Sequence, residues 1–203
     1  MLYQKELQIK YDVDVFVAGG GAAGIAAAVA AARQGKSVFL AEATGCFGGL
    51  GTSGLVPAFA PFDDGKQIVS AGIGLEIRKS VSQSQPLDSY WTMIDAEELK
   101  LAYDSMVQNA GVQFSFFTTV LDVATDNGRI SHVILNAKSG IFAAKAKVYI
   151  DCTGDGDLCA MAGAPFEKGD ENGQIMPATL CSLWANVSDD HTNEVQDSYI
   201  EQA

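Results

Sequence analysis

The sequence predicts an α/β fold, in which a parallel sheet carries an inserted antiparallel β-meander. In residues 12–42, an apolar strand, a glycine-rich turn, an alanine-rich helix and a second apolar strand follow one another. Tight-turn signals at 126–128 (Asp-Asn-Gly) and 138–140 (Lys-Ser-Gly) indicate a meander. Residues 147–152 then predict a return to the parallel sheet. The β-rich runs of the meander lie at about 118–125, 129–136 and 141–147.

The first of these units contains a glycine motif. Residues 13–17 are apolar and β-rich, Ala22–Arg33 is dense in alanine, and Gly19, Gly21 and Gly24 form Gly-x-Gly-x-x-Gly between and inside them. The first glycine permits a tight turn, the second lets a pyrophosphate approach the backbone, and the third lets helix and sheet pack closely. The helix N-terminus adds free N–H groups and the positive end of its dipole. This order is typical of a Rossmann-like dinucleotide site.

An acidic residue, Glu42, ends the next strand, roughly 20 residues further on. Its carboxylate can accept hydrogen bonds from ribose hydroxyls, and an acid at this place favours FAD or NAD over NADP. The alternative is a glycine turn that serves packing alone. The combination of strand, turn, helix and acid favours dinucleotide binding.

Composition excludes several classes of function. The 203 residues carry a formal net charge of −12, which argues against a nucleic-acid partner. The longest small-apolar run, at 22–32, is too short to span a bilayer, and the first ten residues lack a secretory h-region, so we expect a cytoplasmic protein without membrane contact. With two histidines and no Cys-x-x-Cys spacing, we expect no metal site and reduced thiols. The cysteines are Cys46, Cys152, Cys159 and Cys181.

Two helices and a glycine-rich connection follow the first unit. Residues 44–56 are so rich in glycine that close approach of a ligand to the backbone is favoured over a mobile surface loop. Residues 72–82 predict a short helix after a loop at 57–65. Residues 95–110 predict a second helix, which Asp95 begins with capping-box spacing. Its apolar stripe is interpreted as core: Leu99, Ala102, Tyr103, Met106 and Ala110.

An acid–glycine run at 153–157 follows the return strand. We expect Asp155 or Asp157 to cap a short helix at 158–162. We assign residues 1–163 to the dinucleotide-binding domain and residues 164–203 to the incomplete start of a second, substrate-side lobe. Within that lobe, 176–187 alternates weakly as a strand would, and the rest is polar and acidic.

Four segments together resemble the FAD-dependent oxidoreductases related to the fumarate reductase and succinate dehydrogenase flavoproteins, which share a glutathione-reductase-like FAD-binding fold. The resemblance covers roughly residues 12–187 and is more specific than any single motif. The matching segments are 17–24, 41–56, the helix and meander of 95–147, and 150–158 with 162–169.

The resemblance implies a set of FAD contacts around the pyrophosphate, at the adenosine ribose, along the phosphate and flavin side, and at the adenine. The residues implied around the pyrophosphate are Gly19, Gly21, Ala22, Ala23 and Gly24, with Thr153, Gly154 and Asp155 at the end of the pyrophosphate. Glu42 is implied at the ribose, and Val120 is implied at the adenine. The residues implied along the phosphate and flavin side are Gly48, Gly49 and Thr52, and Ala43 belongs to the same set of contacts.

From these implications we expect the chain to be an FAD-dependent oxidoreductase. Its flavin would transfer a hydride or electrons to or from an unidentified small molecule. No catalytic residue can be named, because His132 and His191 read as solvated histidines, and Cys46 stands without the partner that dithiol chemistry needs. Relatives of this kind usually continue further, with a substrate lobe. Whether the chain forms a homo-oligomer is left open.

Two alternatives remain open from the sequence. A nicotinamide-dependent dehydrogenase would share the fold, but it would need neither the glycine-rich connection after Glu42 nor the run at 153–155. A non-catalytic fragment of a flavoprotein is the second alternative. Uptake of FAD would distinguish the flavin hypothesis from both.

Overall fold

A computed structural model describes residues 4–81 and 91–186. Strands and helices largely alternate at first, and four consecutive strands and a short last helix follow. The elements are β1 Ile9–Ala18, α1 Ala22–Arg33, β2 Val38–Ala41, β3 Ala58–Phe59, α2 Ile73–Val81, β4 Thr92–Met93, α3 Ala96–Asn109, β5 Gln113–Ser115, β6 Thr118–Asp126, β7 Arg129–Ala137, β8 Gly140–Asp151 and α4 Asp157–Met161.

The main sheet has six strands in the order β5-β2-β1-β8-β7-β6. The pairs β5–β2, β2–β1 and β1–β8 are parallel, and the pairs β8–β7 and β7–β6 are antiparallel. The expected α/β fold, with its parallel sheet and antiparallel meander, is therefore confirmed. A two-stranded sheet of β3 and β4 was not predicted from the sequence, since each strand has only two residues.

The meander joins the parallel sheet through one long strand. We predicted separate strands at 141–147 and 147–152, but β8 runs without interruption from Gly140 to Asp151. Its first residues pair antiparallel with β7, while residues 143–151 pair parallel with β1. The expected division was wrong because β8 pairs with β7 along one edge and with β1 along its other edge, and this needs no turn in its own sequence.

The core lies on both faces of β1, because successive side chains of a strand point to opposite faces. Val15 and Val17 pack into a cluster with α1 and α3, while Phe16 and Ala18 pack into a second cluster with β7 and α4. All four residues are buried. Helices α1 and α3 on one face, and the meander with α4 on the other, thus fix the carboxyl end of β1.

The predicted helices are present. α1 has the predicted bounds, α2 agrees within one residue at each end, and α3 begins at the N-cap Asp95, whose carboxylate accepts hydrogen bonds from the N–H groups of Glu97 and Glu98. The expected cap of α4 was wrong. Its N-cap is Gly156 in the left-handed conformation, with no side-chain cap.

The stretch that we assigned to a second lobe contains no helix or strand in its described part, residues 164–186. The strand expected at 176–187 is therefore absent as far as residue 186. His191 and the rest of the polar end lie outside the described residues, and the division into two domains stays a prediction. Among the residues that the structure describes, no helix is long and apolar enough to cross a membrane.

Candidate functional site

A cavity of about 910 Å³ opens where the parallel strands β1, β2 and β8 end. In parallel α/β sheets the carboxyl ends of the strands share one edge, which is where ligands bind. The wall consists of the turns that follow these strands, the start of β6, most of the segment 48–54, the strand β3 and Ile94, which follows β4.

The turn after β1 is shaped by backbone packing. Gly19 adopts a positive φ of 89°, and a Cβ added there would lie 2.6 Å from the carbonyl oxygen of Cys152. A Cβ on Gly24 would overlap the Gly19 carbonyl oxygen. Gly24 therefore lies behind the cavity wall and lets α1 approach β1 and β8 closely. These two positions exclude any side chain for steric reasons alone.

Gly21 differs from its neighbours in the same turn. It lines the cavity, its backbone is extended (φ −66°), and an added Cβ would meet nothing within 4 Å. It is also the N-cap of α1 and brings no capping side chain, so the first N–H groups of α1 remain available to a ligand. The missing side chain leaves space for a ligand at the positive end of a helix.

Glu42 follows β2 and is nearly fully buried, at 7% exposure. Its two carboxylate oxygens accept hydrogen bonds from the N–H groups of Gly20 and Thr44, each at 2.6 Å. Each oxygen keeps further acceptor capacity, and Glu42 lines the cavity. The carboxylate thus fixes the glycine turn and can still accept a bond from a ligand hydroxyl.

The glycine-rich connection is attached to the first turn. The Gly48 N–H donates to the Gly20 carbonyl at 2.9 Å, and Gly48 forms an isolated parallel bridge with Gly21. The preceding Phe47 is fully buried, with its ring 5.0 Å from that of Phe114 and 4.6 Å from that of Phe116. This contact holds two glycine-rich backbones side by side.

The turn after β8 is organised by Asp151, which our sequence interpretation overlooked. Its carboxylate accepts hydrogen bonds from the N–H and hydroxyl of Thr153 and from the N–H of Cys159, at 2.8–3.0 Å. Desolvation would raise the pKa of Asp151, but these bonds outweigh it and lower the pKa. The Thr153 hydroxyl in turn accepts a bond from the Asp157 N–H at 2.8 Å.

Cys152 is the cysteine that borders the cavity. Burial, and to a smaller extent the charge of Asp151, raises the pKa of its thiol, so the thiol is protonated at neutral pH. A protonated, half-buried thiol is a poor nucleophile. In the described part of the chain, no group of three or more His, Cys, Asp and Glu is arranged to hold a metal ion.

Most of the residues predicted to contact a cofactor come together in this one cavity. Gly24, Thr52 and Asp155 do not line it: Gly24 packs behind the wall, the Thr52 hydroxyl is buried against the Phe47 carbonyl at 2.6 Å, and Asp155 is exposed. The predicted residues that do line it are Gly19, Gly21, Ala22, Ala23, Glu42, Ala43, Gly48, Gly49, Val120, Thr153 and Gly154.

Other residues of the wall had not been predicted. Thr118 and Thr119 adjoin the predicted Val120, and Asp157 lies two positions after Asp155, so the neighbouring motif could have indicated each of them. Tyr103 and Ile94 come from the helical region, where an apolar pattern gives no sign of a cavity. His132 does not line the cavity and contacts the Ser131 hydroxyl, 3.2 Å from its Nδ1.

The cavity fits a dinucleotide. Open space at Gly21 and Gly154 leaves room for phosphates beside the backbone, and Glu42 offers acceptor oxygens to a ribose. Leu50, Val56 and Phe59 supply an apolar surface at another part of the wall. Such a wall suits a ligand with a charged middle and large ring systems.

Solved structures support the fold. THI4 from Thermovibrio ammonificans is 22% identical, with a TM-score of 0.56 over 76% of this chain and 64% of that chain. A geranylgeranyl bacteriochlorophyll reductase-like protein from Thermoplasma acidophilum is 18% identical, with a TM-score of 0.56 over 75% and 42%. The p-nitrophenol 4-monooxygenase PnpA from Pseudomonas putida DLL-E4 is 15% identical, with a TM-score of 0.59 over 78% and 45%.

The chain thus spans less than two thirds of the length of each of these proteins. No curated protein sequence matches it. Residues 14–203 match the sequence profile of the family described as FAD dependent oxidoreductase. That match covers nearly the whole chain and agrees with the fold and with the shape of the cavity. The chain belongs to the FAD dependent oxidoreductase family, and FAD is its cofactor.

Proposed function

We propose that this chain binds FAD in the cavity at the carboxyl ends of β1, β2 and β8 and forms the flavin-binding part of an oxidoreductase that acts on a small molecule. The observation that carries the proposal is the open space at Gly21, at the uncapped N-terminus of α1 and beside the second glycine-rich segment. FAD, when bound, supplies the hydride or electron transfer.

The residues of this chain would bind and orient the cofactor. The free N–H groups of α1 would bind the pyrophosphate, and the Glu42 carboxylate would accept a hydrogen bond from the adenosine ribose. The backbone of Gly48 and Gly49 and the turn at Thr153 and Gly154 would confine the cofactor from the other sides. The buried aromatic ring of Phe47 would keep the segment at Gly48 in position without contacting the ligand.

The remaining parts of the proposal rest on the sequence. A net charge of −12 argues against a nucleic-acid partner, and a small-molecule substrate stays our expectation. A reaction in the cytoplasm, with reduced thiols, stays our expectation. No acid or base for the reaction is assigned, because the described wall places no histidine at the cavity.

A matched pair of glycine variants tests the proposal. Gly21→Ala would place a methyl group in the open space at the helix N-terminus, while the backbone conformation suits alanine. Because alanine is a poorer N-cap than glycine, we expect the unfolding temperature without ligand to fall by a few degrees at most. FAD binding should weaken by roughly 10-fold or more, since a steric block of about 1.4 kcal/mol suffices. FAD fluorescence titration and visible absorbance measure this.

Gly74→Ala in α2 is the control, since its Cβ would make only an ordinary contact, 3.6 Å from Phe62. It should bind FAD as the wild type does. A wild-type protein that takes up no FAD but binds NADH would contradict the proposal in favour of a nicotinamide enzyme. Equal FAD affinity of Gly21→Ala and wild type would show that the cofactor lies elsewhere.

A further inference from the structure

Tyr103 is a core residue that also borders the cavity. It lies on α3 and belongs to the cluster that packs α3 against α1 and β1, with only 1% of its surface exposed. It nevertheless forms part of the cavity wall. A Cβ added to Gly48 would lie 2.9 Å from its ring, so the ring is in contact with the second glycine-rich segment.

The hydroxyl of Tyr103 has no hydrogen-bond partner among residues 4–81 and 91–186. In the same part of the chain, no polar side-chain atom that is fully shielded from solvent lacks a partner. An unpaired Tyr103 hydroxyl must therefore reach accessible space, and the cavity is the space that Tyr103 borders. Buried tyrosine hydroxyls usually find a partner, so this one is available to a ligand.

The hydroxyl can act as a donor throughout the physiological range. Burial raises the pKa of Tyr103 to about 12, so the proton stays on the oxygen at neutral pH. A neutral donor suits a carbonyl, a ring nitrogen or a hydroxyl of a ligand.

The surroundings of Tyr103 indicate which end of a dinucleotide it faces. Ile94 and Phe59 line the same cavity and pack against the cluster that contains Tyr103. Glu42 follows β2 and Thr118 begins β6, and the Thr118 N–H donates to the Glu42 carbonyl. The wall is therefore apolar around Tyr103 and polar around Glu42. A large ring system suits the apolar part, and a ribose suits the polar part.

We propose that Tyr103 is a cofactor-positioning residue whose hydroxyl donates a hydrogen bond to the flavin half of FAD, the ribityl chain or the isoalloxazine ring. The inference rests on the proposed function, since it requires FAD in this cavity. It adds a specific polar contact at the apolar end, contributed by a helix whose sequence predicts only core packing.

The test compares two tyrosine-to-phenylalanine variants of the full chain. In Tyr103→Phe an unpaired hydroxyl is removed, so thermal stability without ligand should be equal to or higher than that of the wild type. Affinity for FAD should fall roughly 2- to 10-fold, the usual effect of one hydrogen bond, whereas affinity for ADP should not change. FAD fluorescence quenching and calorimetric titration with ADP give the two affinities.

Tyr149→Phe is the matched control. The Tyr149 hydroxyl donates to the Ser131 carbonyl and accepts from the Ala146 N–H, and the residue does not line the cavity. Its loss should lower stability without ligand and leave FAD affinity unchanged. The two variants are thus expected to show opposite patterns.

Three results would overturn the inference. If Tyr103→Phe binds FAD as tightly as the wild type, the hydroxyl makes no bond to the cofactor. If FAD and ADP weaken equally, Tyr103 serves the adenosine half or the fold. If the wild type binds no FAD, the proposed function fails and the role of Tyr103 fails with it, an outcome distinct from the first two.

Discussion

The turns after β1 and β8 face the same cavity but are held by different forces. In the turn after β1, backbone atoms pack so closely that Gly19 and Gly24 exclude any side chain. In the turn after β8, the Asp151 carboxylate collects three hydrogen bonds, and a Cβ on Gly154 would meet nothing within 4 Å. The first turn is fixed mainly by steric contact, with one hydrogen bond from the Gly20 N–H to the Glu42 carboxylate, and the second is fixed by polar groups.

The difference decides which turn can bind a ligand through its backbone. At the start of α4, Thr153 and Asp151 already accept the N–H groups of Asp157 and Cys159. At the start of α1, Gly21 brings no such side chain. The N–H groups of Gly19 and Gly20 are bonded to the Ala41 carbonyl and the Glu42 carboxylate, but the first N–H groups of α1 meet no capping side chain from Gly21. The start of α1 therefore keeps donors for a ligand, whereas the start of α4 uses its own to hold its shape.

The largest expected effect comes from Gly24→Ala, which breaks the first turn. The new Cβ would overlap the Gly19 carbonyl oxygen, so α1 or the turn must shift, and the free energy of unfolding should fall by about 3 kcal/mol or more. The better helix propensity of alanine, about 1 kcal/mol, does not compensate. Urea unfolding followed by circular dichroism measures the change.

The matched control is Gly154→Ala in the second turn, where space is open and the effect should stay within about 0.5 kcal/mol. Similar urea midpoints for the two variants would contradict the steric difference between the turns.

An intermediate effect is expected from Asp151→Asn, which weakens the second turn. One acceptor oxygen becomes an NH₂ group, which faces the N–H donors of Thr153 or Cys159. The free energy of unfolding should fall by about 1–3 kcal/mol. The exposed Asp155→Asn provides the control and should unfold as the wild type does. An unchanged Asp151→Asn variant would show that the turn does not depend on the carboxylate.

The smallest effect is expected from Asp14→Asn, at a partly exposed carboxylate with a comparable set of donors. Asp14 accepts bonds from the Lys147 ammonium and from the N–H and hydroxyl of Ser37. The Lys147 bond, followed by those of Ser37, holds the pKa of Asp14 well below its ordinary value. Its contribution to stability is therefore present at neutral pH and lost as acid protonates it, from about pH 5 downward.

The variant should unfold with a slightly shallower dependence on pH between about 5 and 2 than the wild type, while stability at pH 7 changes less than in Asp151→Asn. Thermal unfolding across this range measures it. A pH profile that is identical to that of the wild type would contradict a role for Asp14 in acid sensitivity.

The turn after β1 could be predicted from the sequence better than the turn after β8. The steric requirement is visible in the sequence as a glycine motif, because only glycine fits at Gly19 and Gly24. The alanine-rich helix that follows has the predicted bounds. A turn that is held by side-chain hydrogen bonds has little recognisable pattern in the sequence. Asp151 is the last residue of a strand, and nothing in the neighbouring sequence distinguishes it from other acidic residues. For that reason we expected the cap of α4 from Asp155 or Asp157.

Other features could not be predicted because they depend on distant partners. The long β8 contains no turn signal, and its pairing with β7 on one edge and with β1 on the other depends on those two strands and not on its own residues alone. Tyr103 has the spacing of a core residue, and it is one. Its position at the cavity follows from the approach of Gly48, which is far away in the sequence.

The burial of Phe47 has a consequence for the cost of ligand binding. The glycine-rich connection is tethered at Thr44 by Glu42, at Phe47 by two aromatic rings, and at Gly48 by the Gly20 carbonyl. These contacts divide a long glycine-rich segment into short closed loops. The entropic cost of closing these loops falls on the folding of the sheet and not on the binding of a ligand. The conformational entropy of the glycines is thus lost before any cofactor arrives, and the cofactor meets a preorganised surface.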